Sequence, residues 1–155
     1  MATADAERLF LDTNVLVYAT VESAPWHRPI RARLERLLRE ERELVVSTQI
    51  LREFVVVLSR PQSFAKPAPI RSVLMRAGGW RSCCTVLGET PATFERLCAL
   101  LRRFPIAGKR VHDANVVACM LEAGIRHLLT CNTEDFRAFD GEIACIDPRA
   151  SGTAP

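Results

Sequence analysis

The stretch Leu9-Phe10-Leu11-Asp12-Thr13-Asn14-Val15-Leu16-Val17 places one carboxylate between two apolar runs. A buried strand normally excludes charge, because a buried unpaired charge loses its hydration. An Asp that closes an apolar run is typical of the carboxyl end of a strand in an α/β sheet, where ligands bind. We therefore take Asp12 as the anchor of any functional interpretation.

Three later segments supply acids that could join Asp12. Residues 47–54 carry Glu53, residues 111–118 carry Asp113, and residues 128–136 carry Asp135. Each segment is a weak signal alone, but their order on a chain of this length is distinctive. In that combination the chain resembles the PIN-domain ribonucleases, and among them the VapC-type toxins, over residues 9–146.

The resemblance implies a fold, an activity and partners. The fold would be an α/β, three-layer PIN-like domain with a central parallel five-stranded sheet in the order 3-2-1-4-5. Residues 1–155 would form one domain with its core at 9–146. The implied activity is endoribonuclease cleavage of a structured or single-stranded RNA, and a cognate VapB-like antitoxin would control it. VapC-type proteins commonly form homodimers, so we also expect a homodimer.

The pattern of the chain itself predicts alternating strands and helices. Short apolar runs predict buried strands at 9–11, 44–46, 85–87, 127–130 and 142–146. Helical patterns fill the gaps: over 28–42, after the Thr90-Pro91 cap, and over 114–123, where Gly124 ends the helix. This alternation predicts a parallel sheet covered on both faces.

Residues 60–81 form the least regular region, with three prolines and two glycines. This composition is typical of a surface loop or mobile clamp, in which 70–77 could form a short helix. Its cations, Arg71, Arg76 and Arg81, could contact RNA or simply keep the loop soluble.

Length and composition are ordinary for one soluble domain. The chain has 155 residues, of which 48% are hydrophobic and 25% are charged. No apolar run approaches the roughly 20 residues of a membrane span, and residues 1–11 lack a signal-peptide pattern. We therefore expect a cytoplasmic protein without membrane attachment.

Cysteines and net charge carry little functional information. No pair of the six cysteines has the C-x-x-C spacing, so we expect reduced, mostly buried thiols and no zinc site. The net charge of +3 does not prove nucleic-acid binding. All cations except Lys66 and Lys109 are arginines, which suit phosphate but equally decorate solvated helix faces.

The chemistry of phosphodiester hydrolysis explains why the acids would meet. The reaction needs an activated water and stabilisation of charge on phosphate and leaving oxygen, and Mg²⁺ or Mn²⁺ held by carboxylates supplies both. Asp12 closes the first strand, Asp113 opens a helix, and Asp135 follows the fourth strand, so these three can gather at one sheet edge. Glu53 would reach them from the start of another helix.

By resemblance, the catalytic acids are Asp12, Glu53, Asp113 and Asp135. Asp12, Asp113 and Asp135 would be the metal ligands for Mg²⁺, with Mn²⁺ as a substitute. The segment after the fourth strand offers Asn132 as well as Asp135 for the last position. Asn132 brings no charge, which favours Asp135 without settling the assignment.

Each acid also has a structural alternative. Asp12 could form an Asx-turn, Asp113 could cap a helix, Asp135 could stabilise a turn, and Glu53 could be an exposed helical residue. It is much less expected that all four acids have only these structural roles than that one of them does. The inference of a functional site therefore rests on the four acids together.

Polar neighbours of the acids have similar alternatives. Thr13, Asn14 and Thr130 could hydrogen-bond the acids or a phosphate, or could hold turns through bonds to the backbone. His112 has no paired acid or nucleophile in the sequence, so we expect a structural or exposed side chain.

Two other function classes fit parts of the pattern. The strand-Asp start also resembles haloacid-dehalogenase-type phosphatases, but their second Asp is replaced by Asn14, which cannot transfer a proton. A catalytically weak PIN fold that binds RNA or protein is the non-enzyme alternative. The presence of all four acids counts against it, because phosphate binding alone favours neutral or basic groups.

Overall fold

The computed structural model describes residues 8–150. Five parallel strands form one sheet in the order β3-β2-β1-β4-β5, so the predicted α/β fold and strand order are confirmed. The elements along the chain are β1 (Arg8–Leu11), α1 (Thr13–Thr20), α2 (His27–Arg39), β2 (Glu43–Ser47), α3 (Thr48–Leu58), α4 (Ile70–Cys83), β3 (Thr85–Leu87), α5 (Pro91–Arg103), α6 (Arg110–Glu122), β4 (His127–Leu129), a 3₁₀ helix (Thr133–Phe139) and β5 (Ala144–Ile146).

Strand β1 lies at the centre of the sheet, and its apolar side chains are part of the hydrophobic core. Phe10 pairs with Val45 of β2 on one side and with Leu128 of β4 on the other. All three side chains are fully buried, as expected for a parallel strand that is covered on both faces. The helices α1 to α4 pack on one another, α5 packs on α6, and helices cover both sides of the sheet.

Several element ends agree with the local chemistry of the sequence. Thr90 and Thr93 form a reciprocal capping box at the start of α5, with Pro91 in the first turn. Gly124 takes a φ of +72° just after α6, a conformation that glycine adopts without strain.

The expectation of a loop over 60–81 is wrong for its second half. Helix α4 spans Ile70–Cys83 and runs through Gly78 and Gly79. Two glycines cost a helix about 2 kcal/mol relative to alanine, but Val73 and Ala77 are buried against the core and offset that cost. Tertiary packing therefore extends the helix beyond the predicted 70–77.

Two other predicted helix boundaries also shift. Helix α2 ends at Arg39 rather than at residue 42, and Glu41 takes a φ of 58°. Helix α6 begins at Arg110 rather than at residue 114. Asp113 consequently lies within the first turn of α6.

The cysteines are less buried than predicted. Cys119 and Cys131 are buried, Cys83 is exposed, and the other three are half-buried. None of the helices between residues 8 and 150 has the length and apolarity that a membrane crossing requires.

Candidate active site

Asp12 lies where β1 passes into α1, at the carboxyl edge of the sheet. Its backbone N–H donates to the carbonyl of Leu129 at 3.0 Å, which continues the pairing between β1 and β4. Its side chain caps α1, since Oδ1 accepts a 2.7 Å hydrogen bond from the backbone N–H of Thr13. The predicted turn-stabilising role of Asp12 is therefore present alongside any role in a site.

Oδ2 of Asp12 accepts two further hydrogen bonds. Nδ2 of Asn14 donates at 2.8 Å and Oγ1 of Thr130 donates at 2.7 Å. Asn14 in turn accepts from the backbone N–H of Cys131 at 3.0 Å. The two side chains thus hold Asp12 against the end of β4. Asn14 serves here as a hydrogen-bond donor and acceptor, and as an amide it cannot act as a proton-transferring acid.

Glu53 approaches from α3, where it is half-buried rather than exposed. Thr13 Oγ1 donates to its Oε2 at 2.8 Å, and Gln49 Nε2 donates to its Oε1 at 2.8 Å. Both carboxylate oxygens therefore have a fixed donor, so the group has one preferred orientation.

Asp113 does not cap its helix. Lys109 occupies the N-cap of α6, where no side-chain capping bond forms. The pKa of the Asp113 carboxyl is raised to about 6. Burial is the largest cause, and the negative charges of Asp135, Asp12 and Glu53 add to it. The positive charge of Arg110 lowers the pKa and opposes them. The other three predicted acids thus all lie close enough to Asp113 for their charges to act on it.

Burial also raises the pKa of Asp12 above its ordinary value. The charge of Glu53 adds to this effect. The hydrogen bonds from Thr130, the Thr13 backbone and Asn14 stabilise the carboxylate and oppose it. Two carboxyls of the cluster therefore resist ionisation in the absence of a counter-charge.

Asp135 lies in the 3₁₀ helix after β4 and is exposed. Its backbone N–H donates to the carbonyl of Asn132 at 3.1 Å, in the first turn of the 3₁₀ helix. Asn132 is also exposed, and its own backbone N–H donates to Thr130 Oγ1 at 3.0 Å. The charge of Asp135 acts on Asp113, which makes it the better candidate for the fourth position.

The donor chemistry of the cluster fits Mg²⁺ or Mn²⁺, because its side chains offer hard carboxylate oxygens. Among residues 8–150, no three acid, His or Cys side chains already stand at the spacing of a metal cage. Mg²⁺ does not require one, since it keeps several waters and binds one or two carboxylates directly. Within that range, Oδ1 of Asp12 accepts a single hydrogen bond, and the Asp113 and Asp135 carboxylates accept none, so these three residues retain free lone pairs.

Three residues at the site were not singled out from the sequence. Buried Gln49 and half-buried Asn115 form a hydrogen-bonded pair next to Glu53, and Arg110 is the cation that acts on Asp113. The spacing of Gln49 and Glu53, four residues apart on one helix, was a signal that they share a face. Nothing local in the sequence indicates that Asn115 meets Gln49.

The predicted RNA-binding arginines lie on α4. Arg71, Arg76 and Arg81 are exposed on α4. Five-residue steps rotate each by about 140° from the last, so the three do not form a single stripe on the helix. His112 is exposed, as expected, and its backbone carbonyl accepts from Gln49 at 3.0 Å.

Solved structures with similar folds include several toxin–antitoxin proteins. VapBC-1 from nontypeable Haemophilus influenzae matches with a TM-score of 0.68 and 16% identity, covering 92% of this chain and 99% of that one. VapBC2 from Rickettsia felis, bound to a DNA fragment from its promoter, matches with a TM-score of 0.66 and 16% identity, covering 90% and 97%. Mycobacterium tuberculosis VapC20, a toxin that cleaves the sarcin-ricin loop, matches with a TM-score of 0.58 and 20% identity, covering 77% and 86%.

These identities are low, so the structural likeness establishes a shared fold. Among curated proteins, no sequence matches this chain significantly. The family model of the PIN domain matches residues 9–142, which is most of the chain. With the sheet order and the acids at its carboxyl edge, this match shows that the chain belongs to the PIN-domain family.

Proposed function

We propose that this protein is a metal-dependent endoribonuclease and the toxin of a VapBC-type toxin–antitoxin pair. The observation that supports this function is the gathering of Asp12, Glu53 and Asp135 around Asp113, close enough that the charge of each acts on its carboxyl. Like charges brought together in this way destabilise the protein unless a cation or a proton compensates them. A site that tolerates this cost is typical of hydrolases that act on phosphodiesters.

The residues divide into a fixed part and an open part. Asp12 and Glu53 are held by hydrogen bonds from Thr13, Asn14, Thr130 and Gln49. Asp113 and Asp135 face solvent more freely. A bound Mg²⁺ or Mn²⁺ would activate water and neutralise charge on the phosphate. The hydrogen bonds to Asp12 and Glu53 would fix the orientation of these two acids, and the free lone pairs of Asp12, Asp113 and Asp135 would hold the ion.

The experiment that tests the activity is cleavage of RNA by the purified protein, followed by sequencing of the new RNA 5′ ends. The folded Asp113→Asn variant, prepared in the same way, controls for contaminating nuclease. We expect discrete new ends with the natural protein and none with the variant. Equal cleavage by both preparations, or no cleavage of total RNA with Mg²⁺ or Mn²⁺, would overturn the proposal.

The proposed partner is a VapB-like antitoxin encoded next to this gene. A cluster of carboxylates attracts a guanidinium, and a bidentate Arg would block access to the acids. The structural neighbours from Haemophilus influenzae and Rickettsia felis are VapBC proteins, which supports this partner. Co-expression with the neighbouring product should restore growth, and replacing its Arg by Ala should weaken that protection. Harmless expression of the folded, active protein alone would contradict the toxin role while leaving the nuclease activity in place.

A further inference from the structure

A buried amide links Glu53 to the helix that carries Asp113. Gln49 is 2% exposed and lies one helical turn before Glu53 on α3. Its Nε2 donates to Glu53 Oε1 at 2.8 Å and to the backbone carbonyl of His112 at 3.0 Å. Both hydrogens of the amide are therefore engaged, one on an acid of the cluster and one on the residue before Asp113.

Asn115 completes this arrangement from α6. Its Nδ2 donates to Oε1 of Gln49 at 2.7 Å. The two ends of an amide differ chemically, so its orientation decides which neighbours it can satisfy. A reversed Gln49 would turn its oxygen towards Glu53 and the His112 carbonyl, which are both acceptors. The contacts therefore admit one orientation, and the donors run from Asn115 through Gln49 to Glu53.

We propose that Gln49 and Asn115 are positioning residues of the RNA-cleaving site. Gln49 holds the Glu53 carboxylate at a set position relative to Asp113, because the same amide also donates a hydrogen bond to the His112 carbonyl on the helix that carries Asp113. Asn115 acts through Gln49 by fixing which end of its amide faces the acid. This role rests on the proposed nuclease function.

The chemistry of the pair distinguishes positioning from simple filling of the core. An apolar side chain of similar volume would fill the space of Gln49 without the cost of burying an amide. Amides bring direction instead, which apolar groups lack. Thr13 holds the other oxygen of Glu53, so loss of Gln49 would free one oxygen and let the carboxylate rotate.

A kinetic double-mutant cycle tests the proposal. The variants Gln49→Met and Asn115→Leu keep approximate size and remove the hydrogen bonds. Each should lower kcat for RNA cleavage by about tenfold with KM unchanged, and the double variant should fall no further, because Asn115 acts through Gln49. The matched control is Gln62→Met, which removes an amide that donates to the Val57 carbonyl at 2.9 Å and should leave kcat unchanged.

If kcat of the double variant fell by about a hundredfold, the product of the two single losses, the two residues would act independently and the proposal would be overturned. Unchanged kcat in the single variants, or a loss confined to KM, would do the same. Thermal unfolding of each variant separates these results from a failure to fold.

A second measurement needs neither activity nor a folded double variant. In the natural protein, nuclear magnetic resonance of the side-chain amides should show slow solvent exchange for Gln49 and fast exchange for Gln62. In Asn115→Leu, Oε1 of Gln49 loses its donor, so the Gln49 amide should be held less firmly and its hydrogens should exchange faster. Fast exchange of Gln49 in the natural protein, or unchanged exchange of Gln49 in Asn115→Leu, would overturn the positioning role. Absence of RNA cleavage by the natural protein would overturn the nuclease function instead, and this measurement would still decide how Glu53 is held.

Discussion

Thr13 engages two acids of the cluster at once. Its hydroxyl donates to Glu53 Oε2 at 2.8 Å, and its backbone N–H donates to Asp12 Oδ1 at 2.7 Å. The side chain is buried, so both contacts are shielded from water. A single residue at the start of α1 thus sets the spacing of two carboxylates that would otherwise repel each other.

Replacing Thr13 by Val should impair the site while preserving the fold. The variant keeps the shape of the side chain but removes the donor to Glu53, so we expect RNA cleavage to fall about tenfold. Steady-state kinetics measures the loss, and circular dichroism checks folding. Thr13→Ser retains the hydroxyl and should remain active. Full activity of Thr13→Val would show that this hydrogen bond is dispensable.

Neutralising the acids should abolish cleavage without unfolding the protein. Asp12→Asn and Asp113→Asn keep side-chain size and remove charge, so activity should fall by orders of magnitude. Glu53→Gln should also be severe. The control is Asp140→Asn, an exposed acid outside the cluster, which should be nearly neutral. Folded Asp113→Asn with full activity would remove the basis of the site.

Removal of divalent cations should stop the reaction. Carboxylates that gather without a cation cannot supply an activated water, so excess chelator should abolish RNA cleavage. Adding Mg²⁺ or Mn²⁺ beyond the chelator should restore it. Undiminished cleavage in chelator, with Asp113→Asn still inactive, would show a metal-independent nuclease.

Thr130 should contribute to stability as well as to the site. It is fully buried, and its hydroxyl donates to Asp12 and accepts from the backbone N–H of Asn132. Thr130→Val leaves both partners short of a hydrogen bond and should lower the free energy of unfolding by about 2 kcal/mol. Urea denaturation measures the change. Thr130→Ser should lose less, and equal losses in both variants would assign the effect to the methyl group.

The stability of the metal-free protein should depend on Asp113 and pH. The pKa of this carboxyl rises from 3.8 to about 6 on folding, mainly through burial and then through the charge of Asp135. The folded state therefore binds the proton more tightly, and stability falls as pH rises from about 4 to about 6. After allowance for solvent screening of a half-exposed group, the loss should be about 1 kcal/mol.

Urea denaturation of the metal-free protein on both sides of this pH range measures that loss. Asp113→Asn has no carboxyl to ionise, so its stability should change less with pH than that of the natural protein. A divalent cation that binds the acids should reduce the loss in the natural protein in the same way. Identical pH profiles for the natural protein and Asp113→Asn would contradict the raised pKa.

Local sequence patterns predicted the elements whose signals are short and strong. Apolar runs identified all five strands, and the Thr90-Pro91 pair identified the start of α5. Helix α4 was underestimated because Gly78 and Gly79 are poor helix formers in isolation. Burial of Val73 and Ala77 outweighs that preference, and burial depends on contacts that no local pattern contains.

The sequence by itself determined where the apolar runs that form the strands lie along the chain. It also placed Asp12 after β1, Asp135 after β4 and Asp113 near the start of a helix. Parallel pairing then requires the carboxyl ends to share one edge, so convergence of Asp12, Asp113 and Asp135 was predictable. Tertiary structure alone decided which donors hold the acids. Thr13 meets Glu53 because α3 packs against α1, and Asn115 meets Gln49 because the fold brings the start of α6 near α3. These side chains lie 40 and 66 residues apart along the chain. A hydrogen bond forms only when donor and acceptor lie about 3 Å apart, so these contacts depend on how the helices are placed relative to one another. The spacing of residues along the sequence does not predict them.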